Sequence, residues 1–162
     1  YDPDSVPTKK TALGHFKHEG CNVHINLDGR AIAYTGDDEK FEYIYRFISK
    51  NKMRFDDSVE AKKHNMSLLD EGTLSVAKFS DNGTLEWLPL VYGQSPLDHE
   101  NGFNSQADIS IETRKRLRCC NFVYSCLDSG PQVFARLVET PVNIIYCVSG
   151  KLILAILLHR QD

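Results

Sequence analysis

The sequence lacks a membrane-spanning apolar run and the short motifs of several large enzyme classes. Its longest apolar stretch is seven residues within "KLILAILLH" (151–159). That is far below the roughly 20 residues that cross a bilayer, so we interpret it as a core strand and expect no transmembrane segment. No G-x-G-x-x-G, P-loop or G-x-S-x-G pattern occurs, which leaves dinucleotide, nucleoside triphosphate and α/β-hydrolase chemistry without support.

Cysteine is scarce in most of the chain, and its spacing suits neither a disulfide framework nor structural zinc. Four of the five cysteines follow residue 118, and none forms a C-x-x-C pair. An odd count with this spacing predicts no disulfide scaffold and no zinc ribbon. Cys21 and His24 lie three residues apart, so in a strand their side chains point to opposite faces and form no local catalytic pair.

The balance of charge changes along the chain. Acidic residues outnumber basic ones over 1–113, basic residues outnumber acidic ones over 114–162, and the formal net charge is −3. An acidic body attracts cations and is unsuited to a nucleic-acid groove. The short basic run "RKRLR" (114–118) has no interleaved aromatics, so we expect no nucleic-acid partner.

Length and composition are those of one globular domain. With 162 residues, of which 41% are hydrophobic and 25% charged, the chain can bury a sizeable core. It begins with Tyr1 and shows no signal-peptide pattern, so we expect a piece of a longer protein.

Alternating segments separated by glycine turns predict antiparallel strands. Residues 21–27 alternate apolar and polar side chains, and the turn signal Asp28–Gly29 leads into a return strand at 30–36. A second hairpin is predicted over 72–93 around Asn82–Gly83.

Three further segments complete the predicted fold. Pro89 indicates an edge strand or a bulge, and the polar segment 51–72 is a surface excursion with a helical turn in its middle. A weak helical pattern covers 107–114, and another hairpin is predicted over Ser149–Gly150. Short strands with turns between them favour an all-β architecture, a sandwich or the blades of a β-propeller.

A charged turn precedes the aromatic segment "KFEYIYRFIS" (40–49), which we predict as a strand. In an extended strand Lys40 and Glu42 project from the same face, roughly 6–7 Å apart, so a cation or an oxyanion fits between their tips. Carboxylates in turns are suitable ligands for hard cations such as calcium. Asp37, Asp38 and Glu39 add three carboxylates.

Simpler explanations exist for these charges. The alternative interpretation of the acidic turn is an ordinary solvated hairpin turn, because its spacing is not that of an EF-hand. Glu42 lies in an aromatic strand, and if that face is covered its charge must be paired or metal-bound. His18 and Glu19 are a second metal-ligand candidate, for which the alternative is a surface or capping pair.

Four blocks of sequence resemble, in order, the X-type (PhoX) alkaline phosphatases. They are "TALGHFKHEG", "DGRAIAYTGDDEKFEYIYRFIS", "LLDEGTLSVAKFSDNGTLEWLPLVYGQSPL" and "ENGFNSQADISIETR", and the resemblance covers roughly residues 8–114. It implies a fragment of a β-propeller, of about one to one and a half blades, from a phosphatase that hydrolyses phosphomonoesters with calcium and iron. It also implies a periplasmic or extracellular protein.

The resemblance further implies roles for two residues. Glu42, in "FEY", corresponds to a metal-binding glutamate, and Lys40 to a basic residue that contacts the substrate phosphate. The family usually has arginine there, and lysine keeps the charge but loses the two-pronged hydrogen bond to phosphate.

The end of the chain departs from the family. An acidic Met-Asp-Arg-Pro-Glu motif is expected after "IETR", but "RKRLRCCNFVYSCLDSGPQVF" stands there. We therefore expect a partial propeller domain over 1–114, and a divergent or frame-shifted tail over 115–162. We also expect the isolated chain to be inactive. The competing hypothesis is a non-catalytic β-sheet binding module.

Overall fold

A computed structural model describes residues 3–39, 42–80 and 82–114, and the backbone of 144–148 and 151–155. Five strands and two short α-helices make up the main part: β1 (His18–Ile25), β2 (Arg30–Asp37), β3 (Ile44–Lys52), α1 (Val59–Met66), β4 (Gly72–Phe79), β5 (Leu85–Pro89) and α2 (Gln106–Ile111). Single 3₁₀ turns lie at Thr11–Leu13 and His99–Asn101. Two further strands, β6 (Ile144–Val148) and β7 (Lys151–Ala155), pair with each other.

The five strands form one antiparallel sheet in the order β1-β2-β3-β4-β5. Both predicted glycine turns are confirmed: Gly29 and Gly83 have positive φ values of 89° and 81°, which glycine adopts without steric cost. Pro89 ends the edge strand β5, as the absence of its N–H predicts. The hairpin predicted near residue 149 is confirmed by the pairing of Val148 with Lys151.

The core lies on one face of the central strands. Tyr45 and Phe47 of β3 are fully buried, whereas Arg46 and Ile48, which alternate with them, are half-buried on the opposite face. Tyr45 and Phe47 share this face because every second residue of a strand projects to the same side. The segment after β5 packs on that face and contributes four buried residues: Leu90, Leu97, Phe103 and Ile109.

The inward face predicted for the first strand is wrong. Val23 is about half exposed and Leu27 is fully exposed, although their alternation with polar residues indicates a buried row. The strand lies at the edge of the sheet, and its register with β2 shifts between Glu19 and Asn22. Edge position and bulge together turn these side chains away from the core.

The remaining predictions have mixed outcomes. The helical turn predicted within 51–72 is the two-turn helix α1, whose N-cap Ser58 accepts a hydrogen bond from the Ala61 amide. The weak helical pattern at 107–114 corresponds to α2. The fold of the tail over 115–162 lies outside the described residues apart from the backbone of β6 and β7. Among the helices described, none has the length and apolar character to cross a membrane.

Candidate metal and phosphate site

Glu42 is buried, as the metal-ligand hypothesis requires, but it does not lie within a strand. Its side chain is 0% exposed, and β3 begins two residues later, at Ile44. The strand predicted to include Glu42 therefore begins later, because Glu42 and Tyr43 precede β3. Lys40 lies outside the described residues, so its place on the same face as Glu42 stays a prediction.

Arg114 joins the two buried carboxylates of this region. Its Nε donates a 2.8 Å hydrogen bond to Asp37 Oδ2, and its Nη2 donates a second bond to Asp37 Oδ1. The same Nε lies 3.9 Å from Glu42 Oε1. The Asp37 side chain is 0% exposed and that of Arg114 is 28% exposed. We call Asp37, Glu42 and Arg114 the carboxylate cluster.

The ion pair with Asp37 stabilises the charged form of Arg114. The hydrogen bonds to Asp37 raise the pKa of Arg114 above its ordinary value, so the guanidinium stays charged. Two parallel N–H···O bonds fix the orientation of a carboxylate as well as its charge. Both oxygens of Asp37 accept from Arg114, so Asp37 forms an ion pair, and its role as a metal ligand stays a prediction.

Tyr45 lies next to the carboxylate cluster. Burial raises the pKa of its hydroxyl well above the usual value, and the charges of Asp37 and Glu42 raise it further. Its Oη is buried and has no hydrogen-bond partner within the described part of the chain. Tyr45 is therefore a neutral hydroxyl group at the inner wall of the site.

The weaker candidates are dispersed around this region. His18 lies in β1 directly across from Asp37, and its Nε2 contacts the carbonyl oxygen of Gly14 at 3.1 Å. Glu19 follows it in the exposed part of the strand. Asp38 is exposed and uses its backbone amide to bond the carbonyl of Lys17 at 2.8 Å. The roles of His18, Glu19 and Asp38 as metal ligands stay predictions.

A groove on the opposite face of the sheet does not include the carboxylate cluster. It has a volume of about 510 Å³, and Arg46, Trp87 and Ser75 are among its lining residues. Arg46 stacks over the Trp87 ring at 4.6 Å, and burial lowers the pKa of its guanidinium. The groove and the carboxylates are thus separate features on the two sides of β3.

Within the carboxylate cluster, the side chain of Glu42 has the chemistry of a ligand for a hard cation. A buried carboxylate such as Glu42 is a suitable ligand for calcium or iron. The described residues contain no group of three or more histidine, cysteine, aspartate or glutamate side chains arranged to hold a metal ion. Glu42 therefore fits as one ligand of a site whose other ligands come from elsewhere.

Comparison with known proteins decides the family. The profile described as Alkaline phosphatase PhoX matches residues 1–120. The chain belongs to the PhoX alkaline phosphatase family. It is also similar to a solved structure, Pseudomonas fluorescens PhoX in complex with vanadate, a transition state analogue, with 36% sequence identity and a TM-score of 0.68. Among curated proteins, none matches the chain.

The PhoX comparison confirms the family resemblance and the fold class. The match covers 82% of this chain and 23% of the Pseudomonas protein. The open five-stranded sheet is accordingly a fragment of a β-propeller-type fold within a mostly β chain.

Sequence reasoning missed two members of the site. Arg114 closes the family-like block "IETR", but its partner Asp37 is 77 residues away, and spacing cannot identify so distant a contact. Tyr45 shares a face with Phe47 in the alternation of the strand, but its position beside two carboxylates depends on tertiary packing. The position of Asp37 at the end of a strand was the available signal, and it was interpreted as a turn ligand.

Proposed function

We propose that this chain is part of a metal-dependent phosphomonoesterase, in which Glu42 is a metal ligand and Lys40 contacts the substrate phosphate. The observation that carries the proposal is the burial of the Glu42 carboxylate beside the Asp37–Arg114 pair. A charge at 0% exposure is costly unless it is compensated by a partner or a metal. Membership of the PhoX family supports the assignment of phosphatase chemistry.

The proposed metals are calcium and iron. When bound, such ions polarise phosphoryl oxygens and neutralise charge that develops on them. The part of this chain is to present Glu42 in a dry setting and to bind a phosphate oxygen through the Lys40 ammonium. A lysine acts as a compact point charge, so we expect weaker phosphate binding than with arginine at that position.

The vanadate in the Pseudomonas fluorescens complex is named as a transition state analogue. By likeness, we extend phosphoryl-transfer chemistry to the protein that contains this chain. Because the chain spans 23% of that relative, the isolated 162 residues are expected to be inactive. We further propose a periplasmic or extracellular location for the protein, from the family alone.

A chimera tests the proposal. Residues 3–114 replace the matching segment of Pseudomonas fluorescens PhoX, and hydrolysis of p-nitrophenyl phosphate and bound calcium and iron are measured. Glu42→Gln should reduce activity by at least about a hundredfold and lower the metal content, because even residues outside the ligand shell alter affinity 10–100-fold. Glu86→Gln, on the exposed part of β5, is the matched control and should change neither.

Two results would contradict the proposal. Unchanged activity and metal content in Glu42→Gln would remove the ligand role. A folded chimera that purifies without metal would favour the competing hypothesis of a non-catalytic binding module. In the same chimera, Lys40→Arg should lower the inhibition constant of inorganic phosphate, and an unchanged constant would remove the phosphate role of Lys40.

A further inference from the structure

Arg114 is placed to do more than join two segments of the fold. It follows α2, whereas Asp37 ends β2, and the two parallel hydrogen bonds between them leave the guanidinium one orientation. In that orientation the Nε points into the space shared by both carboxylates, 3.9 Å from Glu42 Oε1. That distance is too long for a good hydrogen bond but short for an electrostatic contact.

Burial limits the screening of the contact between Arg114 and Glu42. The side chains of Asp37 and Glu42 are 0% exposed, while Arg114 is 28% exposed. Salt screens buried charges far less than exposed ones, so the attraction between Arg114 and Glu42 depends less on ionic strength than that of an exposed pair. Asp37 offsets most of the positive charge of Arg114, which reduces its repulsion of a cation at Glu42.

We propose that Arg114 is a positioning residue for Glu42: fixed by its two hydrogen bonds to Asp37, it restricts the orientation of the Glu42 carboxylate, the proposed metal ligand. The metal half of this inference rests on the proposed function. Asp37 is then the anchor of Arg114 and not a ligand. A residue that acts only as a tie between β2 and α2 would interact with Asp37 and leave Glu42 unaffected.

Two double-mutant cycles on the 162-residue chain, in chelator and without metal, separate these roles. One cycle combines Arg114→Lys with Asp37→Asn, and the other combines Arg114→Lys with Glu42→Gln. Urea unfolding gives the equilibrium constants. We expect a coupling of about tenfold for the first pair and about threefold or more for the second, as contacting residues in one network show.

The second cycle is decisive. Coupling to Asp37 with none to Glu42 would overturn the positioning role and leave a structural tie. Arg30→Lys is the matched control for loss of a guanidinium, because Arg30 pairs with Asp28 in an exposed ion pair. Its coupling to Glu42→Gln should be absent. If Arg114→Lys alone unfolds the chain, the Asp37→Asn and Glu42→Gln cycle replaces the first two, and no coupling there would overturn the proposal.

Terbium binding to the chimera, after its metals are removed with a chelator, gives a second readout that is independent of catalysis, because the chimera supplies ligands that the described residues of this chain lack. Tb³⁺ takes the oxygen ligands of calcium, and its luminescence is sensitised by nearby tyrosines such as Tyr45. Arg114→Lys and Asp37→Asn should each weaken Tb³⁺ binding about tenfold, the loss typical of residues that orient a ligand. Equal or tighter binding in Arg114→Lys would overturn the positioning role, because lysine keeps the charge and loses only the two parallel hydrogen bonds that fix the orientation.

The outcomes distinguish this inference from the proposed function. One outcome is that the Glu42→Gln chimera binds Tb³⁺ like the unaltered chimera while the Arg114–Glu42 coupling persists in the 162-residue chain. In that case Glu42 is no ligand and the proposed function fails. Arg114 then still holds Glu42 in place, but not for a metal. If Glu42→Gln loses Tb³⁺ and the coupling is absent, the ligand assignment stands and the role of Arg114 is wrong.

Discussion

Replacing Tyr45 by phenylalanine is expected to stabilise the folded chain. Tyr45 is 0% exposed, and its ring stacks on Phe16 with centroids 4.0 Å apart. Its Oη has no hydrogen-bond partner among residues 3–39, 42–80 and 82–114. Phenylalanine keeps the ring and loses only the hydroxyl, so the substitution removes an unsatisfied polar atom from the core.

The magnitude follows from two opposing effects. Leaving a buried donor unsatisfied costs about 1–3 kcal/mol, and that cost disappears in the variant. The small space left by the oxygen offsets part of the gain, through lost packing contacts. We therefore expect the free energy of unfolding to rise by about 1 kcal/mol and the midpoint of thermal unfolding by about 4 °C.

Urea unfolding followed by tryptophan fluorescence measures this change. Trp87 is the single tryptophan and contacts Arg46 on the opposite face of the sheet, so the substitution does not alter the probe directly. Tyr92→Phe, at a partly exposed tyrosine, should have no effect. A loss of more than about 1 kcal/mol in Tyr45→Phe would refute the reasoning, because it would show that the hydroxyl has a stabilising partner.

The pH dependence of the same variant tests the electrostatic cause. Burial, aided by the Asp37 and Glu42 charges, raises the pKa of Tyr45, whereas in the unfolded chain the phenol ionises near pH 10. The stability linked to this proton is fully present below about pH 10 and is lost as the pH rises further. The advantage of Tyr45→Phe should therefore grow between about pH 9 and 11, and a constant difference would contradict the raised pKa.

Two further substitutions test the packing of the sheet and of α1. Gly72→Ala should lower the free energy of unfolding, measured by urea titration, by about 1–3 kcal/mol. The reason is that a Cβ at residue 72 would overlap the backbone oxygen of Ile48 and the Phe47 ring. Unchanged stability would show that β4 can shift. Ser58→Ala removes the cap of α1 and should cost the helix about 1 kcal/mol. Its effect should appear as faster amide hydrogen exchange at Ala61, and unchanged exchange there would rule out the cap.

Local signals in the sequence predicted much of the sheet. Gly29 and Gly83 mark turns because they adopt positive φ, and the alternation around Tyr45 and Phe47 identifies the core face because a strand has a period of two. Val23 shows where this reasoning fails. The pattern reports which residues alternate, but only the position of a strand within the sheet determines whether a face is covered.

The candidate site was predictable only in part. Glu42 could be singled out because a carboxylate among aromatics requires compensation when it is buried, and its side chain is indeed 0% exposed. The partner of Asp37 could not be predicted, since Arg114 lies 77 residues away and reaches it through the packing of α2 and the preceding loop. Long-range ion pairs depend on the assembled fold, and no local propensity specifies them.

The order of the strands has a consequence for how the chain is built during synthesis. Each strand from β2 to β5 pairs with the strand that precedes it in sequence, so each ladder closes over a limited loop, at small entropic cost. Pairings of this kind form early, one hairpin after another. Arg114 reaches Asp37 only once the segment beyond β5 has emerged and folded back. A nascent chain would therefore complete its five-stranded sheet first and form the carboxylate cluster last.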